Sequence, residues 1–228
     1  MADKNLFFSA QQAELLDGHL VAEEKTAIIP PGLLAKEPPD LFWQQEADIK
    51  PHKVPEAPYF LYTGNCDAYQ NLPLLTKAFA LVQKSLPKCK LIFLTSSPPS
   101  RDLLISGTRY IPLENHSLMN ELLSNALALV VPRSASFGFP IKVLQALRAG
   151  TPVIGLKKSL SQLLLPHEAL LTDDSPEALG AAMIKLAQNS ALRERLSHQS
   201  LITFNERFTL EKQVKEYNRL LASLLAKD

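Results

Sequence analysis

Between Tyr59 and Thr172 the chain alternates short apolar runs with longer stretches in which apolar residues recur every three or four positions. The runs are Tyr59 to Gly64, Lys90 to Thr95, Arg109 to Leu113, Ala126 to Val131, Val153 to Leu156 and Ala169 to Thr172. They are continuous rather than alternating, which predicts strands covered on both faces, as in a parallel sheet. Among the intervening stretches, Leu72 to Leu86 carries Leu72, Leu75, Phe79 and Val82 on one face, and Leu118 to Asn125 follows a candidate cap at Ser117. Strands that alternate with helices define an α/β class with a doubly wound parallel sheet, whose ligand site lies beyond the carboxyl ends of the strands. Past the last strand, Asp174-Ser-Pro-Glu177 is a helix start with Ser175 as cap and Pro176 as first residue. Helices are expected at Glu177 to Gln188, Ala191 to Phe204 and Leu210 to Ala226. In the last of these, Leu210, Val214, Tyr217, Leu221 and Leu224 form a stripe that must be buried on something. That cover is the stripe's own domain or, if no other domain reaches it, another chain.

Upstream, Asn5 to Ala10 and Lys25 to Pro30 read as two short strands with a helical link from Gln11 to Leu20. From Leu33 to Pro58 the sequence is rich in proline and acidic residues, an irregular linker with Phe42 and Trp43 as its only strong anchors. The expected division is residues 1–32, a linker over 33–58, and a compact domain over 59–228. With 228 residues, 46% of them hydrophobic, and a formal charge of +1, the chain can bury a substantial core and carries no electrostatic signature of a nucleic-acid partner. Two cysteines, no apolar run long enough to span a membrane and no secretory leader point to a reduced, cytoplasmic setting with no transmembrane segment. The histidines are scattered singly, so no metal-ligand spacing emerges.

Chemistry concentrates at two strand ends. After Leu127-Ala-Leu-Val-Val-Pro132, a loop leads to a helix with Pro140 as its first residue, Ile141, Leu144 and Leu147 as its apolar face, and Gly150 with Pro152 closing it. Phe139, as the cap, offers no side-chain oxygen. The first amides are therefore open to an anion unless Ser134 or Ser136 folds back on them. Gly138 permits close backbone approach and Lys142 adds a positive charge on the first turn. The plainer alternative makes Gly138 only a turn and Lys142 a solvated surface lysine. Gly64 ends the first strand in the same way, ahead of a helix that Asn71 is placed to cap.

The segment Gly138-Phe-Pro-Ile-Lys-Val-Leu-Gln-Ala-Leu-Arg-Ala-Gly-Thr-Pro-Val-Ile-Gly155 resembles the donor-site segment of the retaining, nucleotide-sugar-dependent glycosyltransferases of group 1, which have the GT-B fold. Tyr62-Thr-Gly-Asn-Cys-Asp-Ala-Tyr-Gln-Asn71 resembles their Gly-Arg-x-x-x-x-Lys segment. Pro30-Pro-Gly32 is similar to the close of their acceptor-side domain, and Arg207 to Tyr217 to the helix that crosses back to it. The resemblance implies the Rossmann-like, donor-binding half of a GT-B fold over 59–228, preceded by the last strand, helix and strand of the acceptor half. It implies a nucleotide diphosphate sugar as substrate, no cofactor, and donor contacts at Gly64, Asn65, Gln70, Gly138, Phe139, Lys142 and Gln145. Pro112 and Leu113 fall where the family holds the base, and His116 lies on the same side.

Four positions depart from the family's charged pattern. Its diphosphate-gripping arginine and lysine correspond to Asn65 and Gln70, and its second glutamate, which takes the ribose hydroxyls, to Gln145. The first glutamate corresponds to Ser136 counted forward from Pro132, or to Phe137 counted back from Gln145. Tyr69-Gln70-Asn71 also resembles the Tyr-Gln-Gly of some branches, so Gln70 is either a subfamily trait or a loss. Two missing cations weaken donor binding by roughly tenfold to a thousandfold, with Lys142 and Arg133 placed to restore part. Two functions follow: a glycosyltransferase whose acceptor domain docks on the C-terminal helix, and a catalytically degenerate scaffold or regulatory subunit using that helix to hold a partner. No catalytic residue is assigned by either.

Overall fold

The computed structural model describes residues 4–10, 12–13, 26–36, 54–56, 58–113, 115–134 and 138–226. A six-stranded parallel sheet forms its centre: β3 (Tyr59–Thr63), β4 (Lys90–Thr95), β5 (Thr108–Pro112), β6 (Ala128–Val131), β7 (Val153–Leu156) and β8 (Leu170–Thr172). A separate pair, β1 (Asn5–Phe7) and β2 (Thr26–Ile28), is also parallel, with Leu6 opposite Ala27. The helices are α1 (Leu72–Ser85), α2 (His116–Asn125), α3 (Ile141–Arg148), the single turn α4 (Lys157–Leu160), α5 (Pro176–Gln188), α6 (Ser190–Arg207) and α7 (Leu210–Leu225).

The expected class is the one found, and the reason is visible in β3. Its residues are all buried and alternate between two cores. Tyr59 and Leu61 join Ile92, Leu94, Leu144 and Phe204 on one face, whereas Phe60 and Tyr62 join Phe79, Phe93, Met183 and Leu186 on the other. A strand covered on both sides has no polar alternation to show. Strand order is β5-β4-β3-β6-β7-β8, so the direction of winding reverses between β3 and β6. That reversal opens a crevice at the carboxyl ends of those two strands, the place where open α/β sheets bind ligands.

Several local expectations shift. α2 starts at His116 rather than Leu118, because Asn115, in extended backbone, accepts the Leu118 amide on its side chain at 2.8 Å; Ser117 is already inside the helix. Pro140 is the cap of α3, not its first residue, since its ψ of 82° lies outside the helical range. β6 begins at Ala128, two residues later than the apolar run. Ser175 caps α5 as expected, accepting the Ala178 amide at 3.1 Å. The helical link at 11–20 lies mostly outside the described residues, as do Phe42, Trp43, Ser136 and Phe137.

The amino-terminal unit is tied to the start of α7. Leu33 accepts the Leu210 amide and donates to the Phe208 carbonyl, both at 2.9 Å, and Gly32 lies so close to the Thr209 carbonyl that a Cβ would sit 2.5 Å from its oxygen. None of the residues of α7 is buried: of the stripe expected to be covered, Val214 and Leu221 are exposed and Leu210, Tyr217 and Leu224 only half-buried.

Candidate functional site

β3 and β6 each end in a turn, and the two turns meet. At the end of β3 the chain passes through Gly64, whose φ of 130° is open only to glycine without strain, and then through a 3-10 turn, Ala68–Gln70. Asn71 follows in left-handed backbone and leads into α1 with no side-chain cap bond of its own. At the end of β6, Pro132 and Arg133 lead through the loop to Gly138, φ 75°, and on to α3, again without a side-chain cap. Ser134 does not fold back on that helix start. Its amide and hydroxyl both donate to the Tyr69 carbonyl, at 2.9 and 3.1 Å, and so fasten one turn to the other.

Lys142 reaches across this junction. Its ammonium donates to Gln70 Oε1 at 3.1 Å and lies 4.4 Å from the centre of the Tyr62 ring. The Gln70 amide nitrogen donates to Asn65 Oδ1 at 3.0 Å, and the Asn65 amide in turn donates to Asp67 and, at 3.2 Å, to the Tyr69 hydroxyl. The Tyr62 hydroxyl closes the network on the Asn65 carbonyl. Arg133, only 7% exposed, stacks over Tyr69 at 5.4 Å, with its Nη2 3.3 Å from where a Gly138 Cβ would stand.

Two cations therefore converge on one crevice. Among the described residues no carboxylate lies within ion-pair distance of Lys142. Burial, and then the nearby Arg133 charge, lower the Lys142 ammonium from 10.5 to about 7, partly offset by Cys66. Burial likewise lowers Arg133. Like charges held together out of water cost free energy that a bound anion recovers, so the arrangement favours an anionic ligand. Lys142 is thus half-buried and hydrogen-bonded to Gln70 rather than fully solvated.

The expected site residues separate into two groups. Gly64, Asn65, Gln70 and Lys142 converge, with Gly138 beside Arg133. Phe139 turns its ring away, packing edge-on against Phe208 at 6.3 Å, and Gln145 lies half-buried about one turn along α3. His116 is exposed at the first position of α2, and Leu113 directly follows β5, two strands from β3. Tyr62 and Tyr69 were not singled out from the sequence, and only their place beside Gly64 and Gln70 signalled them. Beyond Gly138, a cleft of about 170 Å³ separates Phe8, Ser9 and Ile28 from Phe139, Gln162 and Arg207.

The tight approach at Gly64 makes a testable point. A Cβ there would lie 2.6 Å from Lys142 Nζ, on a backbone that L-residues avoid. Gly64→Ala is expected to displace the ammonium and to lower stability by roughly 1–3 kcal/mol, read as a fall in the urea midpoint.

A model of the family "Glycosyl transferases group 1" matches residues 57–189, more than half of the chain, and the chain belongs to that family. A comparison with curated proteins finds no match. Among solved structures, sucrose-phosphate synthase from Thermosynechococcus elongatus superposes with a TM-score of 0.79 at 21% identity, over 100% of this chain and 60% of that one. Anabaena HepE in complex with UDP and glucose gives 0.78 at 14% identity, over 98% and 64%. A glycosyltransferase from Rickettsia africae gives 0.78 at 11%, over 99% and 64%. At these identities the likeness establishes the fold, the Rossmann-like half of GT-B. The chain spans 60 to 64% of the length of those proteins. No helix among the described residues is long and apolar enough to cross a membrane.

Proposed function

We propose that this chain is the donor-binding half of a glycosyltransferase that moves a sugar from a nucleotide diphosphate donor to an acceptor held by a further domain. The observation that carries this is the convergence of Lys142 and Arg133 at the reversal of the sheet, ahead of an uncapped helix start. The diphosphate lies there, its charge met by the two side chains at the start of α3, where the Ile141 and Val143 amides already donate to the Phe139 and Pro140 carbonyls. Gln145, one turn on, reaches a ribose hydroxyl as a neutral amide. The positive environment also serves the reaction, because the diphosphate departs with the electron pair of the sugar bond and its charge must be stabilised as it leaves. Retention at the sugar carbon is the outcome that the family resemblance carries. HepE was solved with UDP and glucose, which supports a donor of that chemical class.

The cations have thus moved relative to the expected pattern, from the Gly64 turn to the Gly138 side, and the neutral residues at 65 and 70 do not by themselves mark a dead site. Residues 1–32 are on this reading the end of the acceptor half. Titration calorimetry with uridine, guanosine and adenosine diphosphates tests the proposal. Binding of one of them in the micromolar to millimolar range is expected, and no heat with any of them at millimolar concentration overturns it.

A scaffold role draws on observations of its own, the exposed Val214 and Leu221 on α7 and the two-stranded β1–β2 sheet. Parallel pairs of this kind are normally part of larger, covered sheets. Under that reading the chain recovers a partner but binds no nucleotide.

A further inference from the structure

Asn65 and Gln70 stand at the positions where direct contact with a phosphate was expected, yet their side chains are engaged with the protein itself. Gln70 is 5% exposed. Both ends of its amide are committed, the nitrogen to Asn65 Oδ1 and the oxygen to the Lys142 ammonium, 72 positions along the chain. Asn65 is itself fixed by Asp67, Tyr69 and the Tyr62 hydroxyl on its carbonyl. An amide locked on one side can present its oxygen in only one direction.

We infer that Gln70 is a positioning residue: it holds the Lys142 ammonium at the mouth of the crevice with a neutral acceptor, which orients the cation without neutralising it. A carboxylate at the same point would hold the lysine as well and cancel the charge that the anion needs. A neutral side chain there keeps the cation both ordered and available. The turn that carries Gln70 fixes the second cation too, since Tyr69 lies under Arg133 and accepts both bonds from Ser134. The Gly64 turn is then the frame of the anion site, and the Gly138 side supplies its charge. This rests on the donor-site reading for the identity of the anion, but the Lys142–Gln70 coupling can be measured without any ligand.

The test compares the intact chain with Gln70→Glu and Gln70→Leu. Inorganic pyrophosphate is the calorimetric probe, and Lys142 is titrated by NMR on protein labelled at lysine. The titratable groups that bear on Lys142 are Arg133 from the end of β6 and Cys66 from the turn after β3, with the neutral Tyr62 ring against it, all unchanged in both variants. In Gln70→Glu, Lys142 is expected to titrate at higher pH and pyrophosphate to bind at least tenfold more weakly, because the anion now competes with a built-in carboxylate. In Gln70→Leu, close in volume, the charged form loses its acceptor, so the titration moves to lower pH and affinity falls by roughly threefold or more. A Lys142 titration unchanged in whichever variants fold overturns the inference. If the unmodified chain binds neither pyrophosphate nor a nucleoside diphosphate, the donor-site reading fails alone, and the titration shifts still decide the role of Gln70.

Discussion

Lys142→Met is expected to bind nucleoside diphosphates about tenfold to a hundredfold more weakly than the native chain while folding as well or better. The loss is that of one charge-assisted contact in a partly desolvated site, ~1.5 to 3 kcal/mol. The gain in stability has a separate cause. Lys142 titrates at about 7 rather than 10.5, through burial first and Arg133 second, so folding disfavours its charged form. Between those two values the unfolded chain binds more protons than the folded one, and stability therefore rises with pH across that window. Below about 7 both states are protonated and the full penalty is present. Melting curves from pH 6 to 10 should show this rise in the native chain and a flatter profile in Lys142→Met. Binding runs the other way. The native chain should take up a proton as the anion arrives above pH 7, so its affinity should strengthen toward pH 6 relative to the variant. Equal affinity of the two proteins at pH 6.5 would remove Lys142 from the site.

The sheet was legible in the sequence almost to the residue because its strands are buried on both faces, and a continuous apolar run bounded by polar turns has few other uses. β4 and β7 match their apolar runs at both ends. Helix starts were less legible. Near α2, Asn115 and Ser117 are both competent caps two residues apart, and only the extended backbone of Asn115 decides between them. At α3 the proline ring sets φ but leaves ψ free, and ψ is what excludes Pro140 from the helix.

The site was half legible. Spacing placed Gly64 and Gly138 at strand ends, but whether those ends adjoin depends on the sheet order, which the one-dimensional pattern does not contain. The contact between Lys142 and Gln70, and that between Arg133 and Tyr69, follow from the adjacency of β3 and β6 and leave no local trace. The stripe on α7 shows the converse. Periodicity identified an apolar side correctly, and carried no information about what covers it.

A second large effect is expected at Arg207. Glu168, 4% exposed, accepts from both sides: from Arg207 Nη1 through each oxygen at 3.1 Å, and from the Thr203 hydroxyl at 2.8 Å and the Leu165 amide at 2.7 Å. Arg207→Met removes the only cation that the described residues place against this carboxylate and leaves the charge buried. Removing one partner of a buried pair costs about 3 to 5 kcal/mol, and the low end applies because the guanidinium is itself partly exposed. For a chain of this size that is a fall of roughly 6 to 12 °C in Tm. Adding Glu168→Gln to the variant should recover most of it, since the uncompensated charge is then gone. The same guanidinium holds the Leu163 carbonyl at 2.6 Å and lies 4.9 Å from the centre of the Phe208 ring, on which Phe139 rests. The pair is thus a clamp beneath the Gly138 turn, and Arg207→Met should weaken pyrophosphate binding as well, by a smaller factor than Lys142→Met. A melting point within a degree or two of the native chain would show that Thr203 and the Leu165 amide suffice for Glu168. The rigidity of the Gly138 turn would then have to come from Phe139 and Phe208 alone.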